Sequence, residues 1–369
     1  MANDKDADYV LRHYSNLSSQ RNKAFVGPDK CNPLRQVPFS LGAHGSPSTI
    51  RIPADSVFKN EYSINISGSA GSMGGGGADK GHRWVDMPTW GTVLGTAIED
   101  FTVSMWCKLT GAAHGQYGSA ADTHAWGNLF SYNHRADYGI YPCRFNIQMR
   151  PNAYHEHLSI KVNGAAGDHP STGWYYDIPF GDPTASYGRG LDAWNRWFHV
   201  AVSVNIDASL HIYVNGMSSS VPYSGRGMSS GSLSGSYTLD WGLHGGFTNW
   251  HGVPMMIGAQ SDEYREGNPY NPADAPSSFF CGQITEFSMW NKALSTVEVL
   301  EMYDGTSLTD GKATDLSKHS AASNLKCWYR MGDHIDDDGT HMEDASGNGN
   351  HGSVGTGSCS SITKDVPPG

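Results

Sequence analysis

The chain reads as an all-β protein, a sandwich of two antiparallel sheets with long loop insertions and one short helix. Three observations predict this. Several segments alternate apolar and polar residues with a period of two. Glycine, at 45 of 369 residues, exceeds the ~7% of an average chain without a collagen period, and so marks many turns. Only one stretch, near residue 300, carries both a helix start and a helix stop.

In chain order, residues 1–47 lack the alternating pattern needed to join a sheet. Apolar residues at 10, 11, 14 and 17 allow a short helix, and Pro28, Pro33 and Pro38 then keep the chain extended. This segment is expected to be an arm that gains order by lying on other subunits of an assembly. Residues 48–369 form the sandwich domain. Its first strands are expected at Ser48 to Ile52 and Tyr62 to Ile66. From Phe101 to Leu109 the alternation is strict, with Phe101, Val103, Met105, Cys107 and Leu109 on one face and Thr102, Ser104, Trp106 and Lys108 on the other. Phe198, Val200, Val202 and Val204 repeat it, followed by Leu210, Ile212 and Val214. Asn215-Gly216 closes that run with a turn pair tolerant of positive φ. Two long insertions are expected, about 111–195, enclosing one strand at Leu158, Ile160 and Val162, and 217–254. Loops of this length usually bind something or build an interface.

The stretch from Gly282 to Tyr303 ends the series as a buried strand, a turn and a short helix. Ser295 and Glu298 stand at capping-box spacing; Val299, Leu300 and Tyr303 are expected on the buried face, with Asp304-Gly305 as the stop. In the strand, Ile284 has opposite parity to Phe287 and Met289. Either both faces are buried, or a bulge resets the register.

Gly282, Ile284, Glu286, Phe287, Trp290, Asn291, Ala293, Leu294, Ser295, Glu298 and Tyr303 together resemble the closing signature of laminin-G-like domains of the concanavalin A-like superfamily. The Phe101 strand is similar to that family's early Phe-Thr-Val-Ser-x-Trp strand. Trp328 to Asp333 and Asp344 to Gly352 resemble a further family element, here placed after the helix. The resemblance implies a jelly-roll sandwich. In style the chain is also similar to laminin-G-like structural proteins that tailed viruses of marine bacteria carry on heads or tails.

Composition narrows the function classes. A formal charge of −11 with few lysines argues against nucleic acid. The start is polar and acidic, without a signal-peptide core, and no run reaches the ~18 apolar residues of a membrane span. The six cysteines show no CxxC and are expected as buried free thiols.

Catalysis finds little support. Glycosidases of related folds resemble one another through Glu-x-Asp-x-x-Glu, and no glutamate here has aspartate at the second following position. Gly227-Met228-Ser229-Ser230-Gly231 matches a nucleophile-elbow pattern, but its flanks lack the required strand and helix. A calcium ion is expected at Asp336, Asp338 and Asp344, where carboxylates crowd around Gly339. Carbohydrate or partner binding is expected at Trp241, His244, Phe247, Asn249, Trp250 and His251, which offer aromatic faces and polar rims in a glycine-freed segment. The expected role is therefore a non-catalytic structural and binding protein of a virion, a capsid decoration or tail component that contacts a surface glycan. The alternative is an extracellular lectin or degenerate glycosidase.

Overall fold

The computed structural model describes residues 58–66, 83–96, 99–110, 127–134, 143–152, 157–164, 174–177, 196–205, 209–218, 230–232, 254–259, 280, 282–306, 310–334, 336–337, 340–355 and 362–367. The expected arm (1–47) and the expected strand at 48–52 lie outside them. The elements run β1 (Ser63–Asn65), β2 (Trp84–Thr89), α1 (Trp90–Leu94), β3 (Phe101–Leu109), β4 (Gly127–His134), β5 (Cys143–Asn152), β6 (His157–Gly164), β7 (Trp174–Asp177), β8 (Trp197–Asn205), β9 (Ser209–Val214), β10 (Met217–Ser218), β11 (Ser230–Ser232), β12 (Pro254–Ile257), β13 (Gly282–Trp290), α2 (Thr296–Tyr303), β14 (Leu325–Tyr329), β15 (His341–Met342), β16 (Gly352–Gly355) and β17 (Ile362–Thr363).

These strands make two antiparallel sheets. The first follows the order β10-β9-β8-β3-β13-β1-β17, with β11 beside β9 and β14 beside β13. The second follows β15-β16-β2-β12-β4-β5-β6-β7. The fold is a two-sheet jelly-roll sandwich. Between the sheets lies one continuous core, in which Phe101, Val103 and Met105 of β3, Phe198, Val200 and Val202 of β8, and Leu210, Ile212 and Val214 of β9 are all buried as expected. The second sheet contributes Val85, Met87, Phe130, Tyr132, Phe145, Ile147, Met149 and Ile257.

The span 111–195 corrects the sequence reading. Expected as an insertion around one strand, it supplies β4, β5, β6 and β7, four of the eight strands of the second sheet. Its alternation was present at Phe145, Ile147 and Met149, but Asn and Gln between them lowered its apolar content. Within the expected insertion 217–254, the described residues form β10 and β11. Gly231 pairs with Leu210 in β11, so a strand, not a helix, follows the elbow-like Ser229.

Both alternatives for β13 hold at once. All of its residues are buried, and its register against β3 shifts between Thr285 and Ser288. Glu286 takes φ 49° there. The extra residue brings Ile284 onto the face of Phe287 and Met289.

The outer face of the first sheet is covered. The capping box forms, with Ser295 N donating to Glu298 Oε2 at 2.8 Å and Glu298 N donating to Ser295 Oγ at 3.4 Å. α2 then buries Val299, Met302 and Tyr303. Leu300, expected inward, is 36% exposed, because the i, i+3, i+4 stripe set by Val299 selects Met302 instead. With Leu294, Leu316, Ala321 and Trp328 this helix forms a second apolar layer over Ala201, Tyr213 and Trp290. Tyr303 stacks on Trp106 with ring centroids 5.6 Å apart. This layer explains why Thr102, Ser104 and Trp106, on the other face of β3, are buried as well. At the β9–β10 turn, Asn215 and Gly216 take φ 52° and 73°. A Cβ on Gly216 would stand 2.6 Å from Leu300 Cδ2, so space and backbone both demand glycine.

Candidate functional site

The outer face of the second sheet carries a continuous row of largely polar side chains. Its residues follow from strand register. His341 opposes Ser353, Ser353 opposes Asp86, Asp86 opposes Met256, Met256 opposes Ser131, and Ser131 opposes Asn146. Because side chains alternate along each strand, while Val85, Met87, Phe130, Tyr132, Phe145 and Ile147 face the core, this row faces outward. It crosses six adjacent strands. A second outward pair, Asn128 and Gln148, stands beside it, with Gln148 Nε2 donating to Asn128 Oδ1 at 3.0 Å. Trp84 adds an aromatic plane, packed with Met256 and Ala259.

The row changes character along its length. Ser353 is exposed, whereas Ser131 and Asn146 are buried at 0% and 2%. Ser131 Oγ donates to Ala259 O at 2.7 Å. Asn146 Oδ1 is buried and finds no hydrogen-bond partner among the described residues. A buried acceptor without a donor costs roughly 1–3 kcal/mol, so Asn146 Oδ1 calls for a donor from beyond the described residues. Asp86 accepts from Trp84 Nε1 at 3.0 Å. Burial raises its carboxyl to about 6, against the lowering effect of that hydrogen bond.

At the β15 end, the chain gathers histidines and carboxylates. His341 Nε2 and His351 Nδ1 lie 2.8 and 2.9 Å from the same Glu343 Oε2. His334 Nδ1 lies 3.8 Å from Asp336 Oδ2. His334, Asp336 and Glu343 offer ligand atoms within 4.8 Å of one another, as do His341, Glu343 and His351. Burial tends to raise the Glu343 carboxyl. The hydrogen bond from His341 and the charges of His351, His334 and His341 outweigh this and hold it below its ordinary value.

A comparison with family models finds no match, and none of the curated proteins matches the chain. Among solved structures, a candidate carbohydrate binding protein from Bacteroides ovatus is similar at 15% identity and TM-score 0.43, covering 85% of this chain and 62% of that one. A heptameric SAP-like pentraxin from Limulus polyphemus is similar at 14% identity and TM-score 0.35, covering 66% of this chain and 82% of that one. The enzymatically active domain of tailspike protein 2 of Bacteriophage CBA120 is similar at 9% identity and TM-score 0.39, covering 74% of this chain and 33% of that one. The chain thus spans less than two thirds of the length of the Bacteroides structure. What those proteins bind or act on is theirs; the site here rests on this chain's own sheets.

Of the residues singled out by sequence, Trp241, His244, Phe247, Asn249, Trp250 and His251 lie outside the described residues, as does Asp338. Asp336 reaches His334 and Glu343. Asp344 does not join them. It is buried at 3% exposure; its Oδ1 accepts from Trp328 N at 2.9 Å and Ser346 N at 3.0 Å, and its Oδ2 from Asn350 N at 2.9 Å. That carboxylate is committed to holding the turn before β16. Sequence reasoning missed the outward row entirely, because a row across a sheet depends on strand order. His341-x-Glu343 was readable, since i, i+2 spacing shares a face once the segment is a strand. No helix among the described residues is long and apolar enough to cross a membrane. Cys107 and Cys327 are buried free thiols, as expected, and burial pushes both well above the ordinary thiol range.

Proposed function

We propose that this protein is a non-catalytic carbohydrate-binding protein whose glycan seats on the outer face of the second sheet. The observation that carries the reading is an outward row of hydroxyl, amide and carboxylate side chains beside Trp84, in which Asn146 Oδ1 has no hydrogen-bond partner among the described residues. Sugars present hydroxyl donors to such acceptors and apolar ring faces to indole. The aromatic segment from Trp241 to His251 leads in sequence into β12, a central strand of this face, and belongs to the same proposed role. The non-catalytic part is supported by Asp86 being the carboxylate of the row, whereas retaining hydrolysis needs a pair ~5–5.5 Å apart. The placement on a virion surface rests on the family resemblance and on the arm-like composition of residues 1–47.

The test is glycan-array and calorimetric binding of the full-length protein beside Asn146→Ala and Trp250→Ala. Asn146→Ala removes an acceptor that no described donor uses, so the variant should keep a cooperative thermal transition while affinity falls at least ~10-fold, the loss of about 1.4 kcal/mol. Wild-type protein that binds no glycan, or binds equally well after both substitutions, overturns the reading. Incubation with laminarin or agar should release no sugar; turnover abolished by Asp86→Asn would reassign the face to a hydrolase.

A further inference from the structure

The histidine-carboxylate group at the β15 edge has a geometry of its own, independent of which molecule the sheet takes. His341 and Glu343 are two residues apart, so their side chains share the outer face. The pairs His341/Ser353 and Met342/Gly352 bring His351 opposite Glu343 at the next step of the antiparallel register. Neighbours in such a pair have Cβ atoms ~4.5–5.5 Å apart. The turn between them is held rigid. Asp344 accepts three backbone N–H groups there, and Gly347 and Gly349 take φ 81° and 77°.

We propose that His341 Nε2, Glu343 Oε2 and His351 Nδ1 form a binding site for a divalent transition-metal ion of the zinc class. Two imidazole nitrogens and one carboxylate suit zinc, nickel or cobalt, whereas calcium asks for six to eight oxygens. Bonds of ~2.0–2.1 Å in a tetrahedral site set ligand atoms roughly 3.3 Å apart. The present 2.8 and 2.9 Å separations from Glu343 Oε2 therefore need to open by only a few tenths of an ångström.

The hydrogen bonding leaves a tension that a cation relieves. Asp344 N donates to His351 Nδ1 at 3.3 Å, which requires a lone pair on that nitrogen. The same nitrogen lies 2.9 Å from Glu343 Oε2, where only an N–H would be attractive. One tautomer cannot serve both. A metal ion between Nδ1 and Oε2 takes that lone pair in place of the weak, 3.3 Å Asp344 N–H contact and turns the repulsion between lone pair and carboxylate into attraction for a shared cation. The side chains are part-exposed, His341 by 41% and Glu343 by 21%, so solvent can enter and occupy the remaining position. Asp336 and His334 also offer ligand atoms within 4.8 Å of Glu343.

Chelator-stripped full-length protein should bind Zn²⁺ in calorimetry with one-to-one stoichiometry at pH 7.5, and its thermal midpoint should rise. Co²⁺ should give the d–d absorption of a low-symmetry site with nitrogen and oxygen ligands. Ca²⁺ and Mg²⁺ should do neither. His341→Ala, Glu343→Gln and His351→Ala should each weaken Zn²⁺ binding at least ~10-fold, whereas His211→Ala, in β9 of the other sheet, should not. Glu343→Gln keeps side-chain size, and the Co²⁺ spectrum of wild type needs no variant, so misfolding of a histidine variant leaves the test decisive. Three outcomes overturn the site: a midpoint that responds to pH but not to Zn²⁺, which makes the group a proton-sharing cluster; Zn²⁺ affinity unchanged in all three variants; or a preference for Ca²⁺.

Discussion

Glu286 sits at the bulge of β13 with both carboxylate oxygens engaged. Oε2 accepts from Trp328 Nε1 at 2.6 Å, and Oε1 accepts from Arg330 Nε at 3.3 Å. Arg330 in turn stands 3.8 Å from Asp333 and donates to Lys59 O, while Asp333 accepts from Glu61 N and Tyr62 N. One buried carboxylate thus ties the chain entering β1 to β13 and β14, and its positive φ is the local strain that aims it. Burial raises its carboxyl from 4.5 to about 7, the charge of Arg330 and the Trp328 hydrogen bond opposing and Asp333 adding to the rise. The folded chain therefore holds a proton that the unfolded chain has released between those values. Stability from this group is full below pH 4.5 and is lost as pH rises through 7, on the order of 1–3 kcal/mol. His199, packed against the Trp106–Tyr303 stack, works in the opposite sense. Burial lowers it from 6.5 to about 3, so its contribution is present above pH 6.5 and is lost as pH falls toward 3. Between 4.5 and 6.5 the two oppose each other. Thermal midpoints from pH 4 to 8 should show Glu286→Gln losing stability more steeply on acidification than wild type, and His199→Phe less steeply. Two variant curves parallel to wild type would remove both residues from the account.

At the scale of elements, the strands that sequence made legible are those with bulky apolar residues on strict alternate positions. In β3, β8 and β9 that pattern is enough to place every core-facing side chain. Val202 of β8 lies opposite Val103 and Ile212 on its two neighbours. Val202→Asp buries a charge without a partner and should abolish the cooperative thermal transition. The capping box was equally legible, because its chemistry is local; Ser295→Ala should cost about 1 kcal/mol in denaturant unfolding while leaving m unchanged. The elements that escaped do so for identifiable reasons. β12 is Pro-Met-Met-Ile, too short and too uniformly apolar to show a period. β4 and β5 carry Asn, Ser and Gln on their outer face, which reads as loop in composition although Phe130, Tyr132, Phe145, Ile147 and Met149 keep the alternation. The outward row was illegible for a deeper cause. His341, Ser353, Asp86, Met256, Ser131 and Asn146 become neighbours only through the order of six strands, three of whose pairings join elements distant in sequence.

The whole molecule is asymmetric about its core. One sheet carries α2 and residues 310–324 over its back, sealed by Trp290, Leu294, Met302 and Trp328. The other sheet carries outward-facing polar side chains, buried at Ser131 and Asn146 and exposed at Ser353, ending in the histidine-carboxylate edge. Every described strand lies between Ser63 and Thr363, and the main core is assembled from residues within that span. Residues 1–47, proposed as the arm, contribute none of those strands. Fixing backbone costs roughly 1–2 kcal/mol per residue, so ordering a segment of this length takes extensive partner surface, for which we propose Val10, Leu11, Phe25, Val26 and Phe39 as apolar anchors. Pro28, Pro33 and Pro38 reduce that cost by restricting the free chain. Deleting residues 2–40 should therefore leave a folded sandwich with the thermal midpoint and glycan affinity of the full chain, while abolishing its incorporation into an assembly. Calorimetry and co-sedimentation with particles read the two effects separately. Loss of the thermal transition on deletion would make the arm part of the fold, and normal incorporation without it would leave attachment to the sandwich itself.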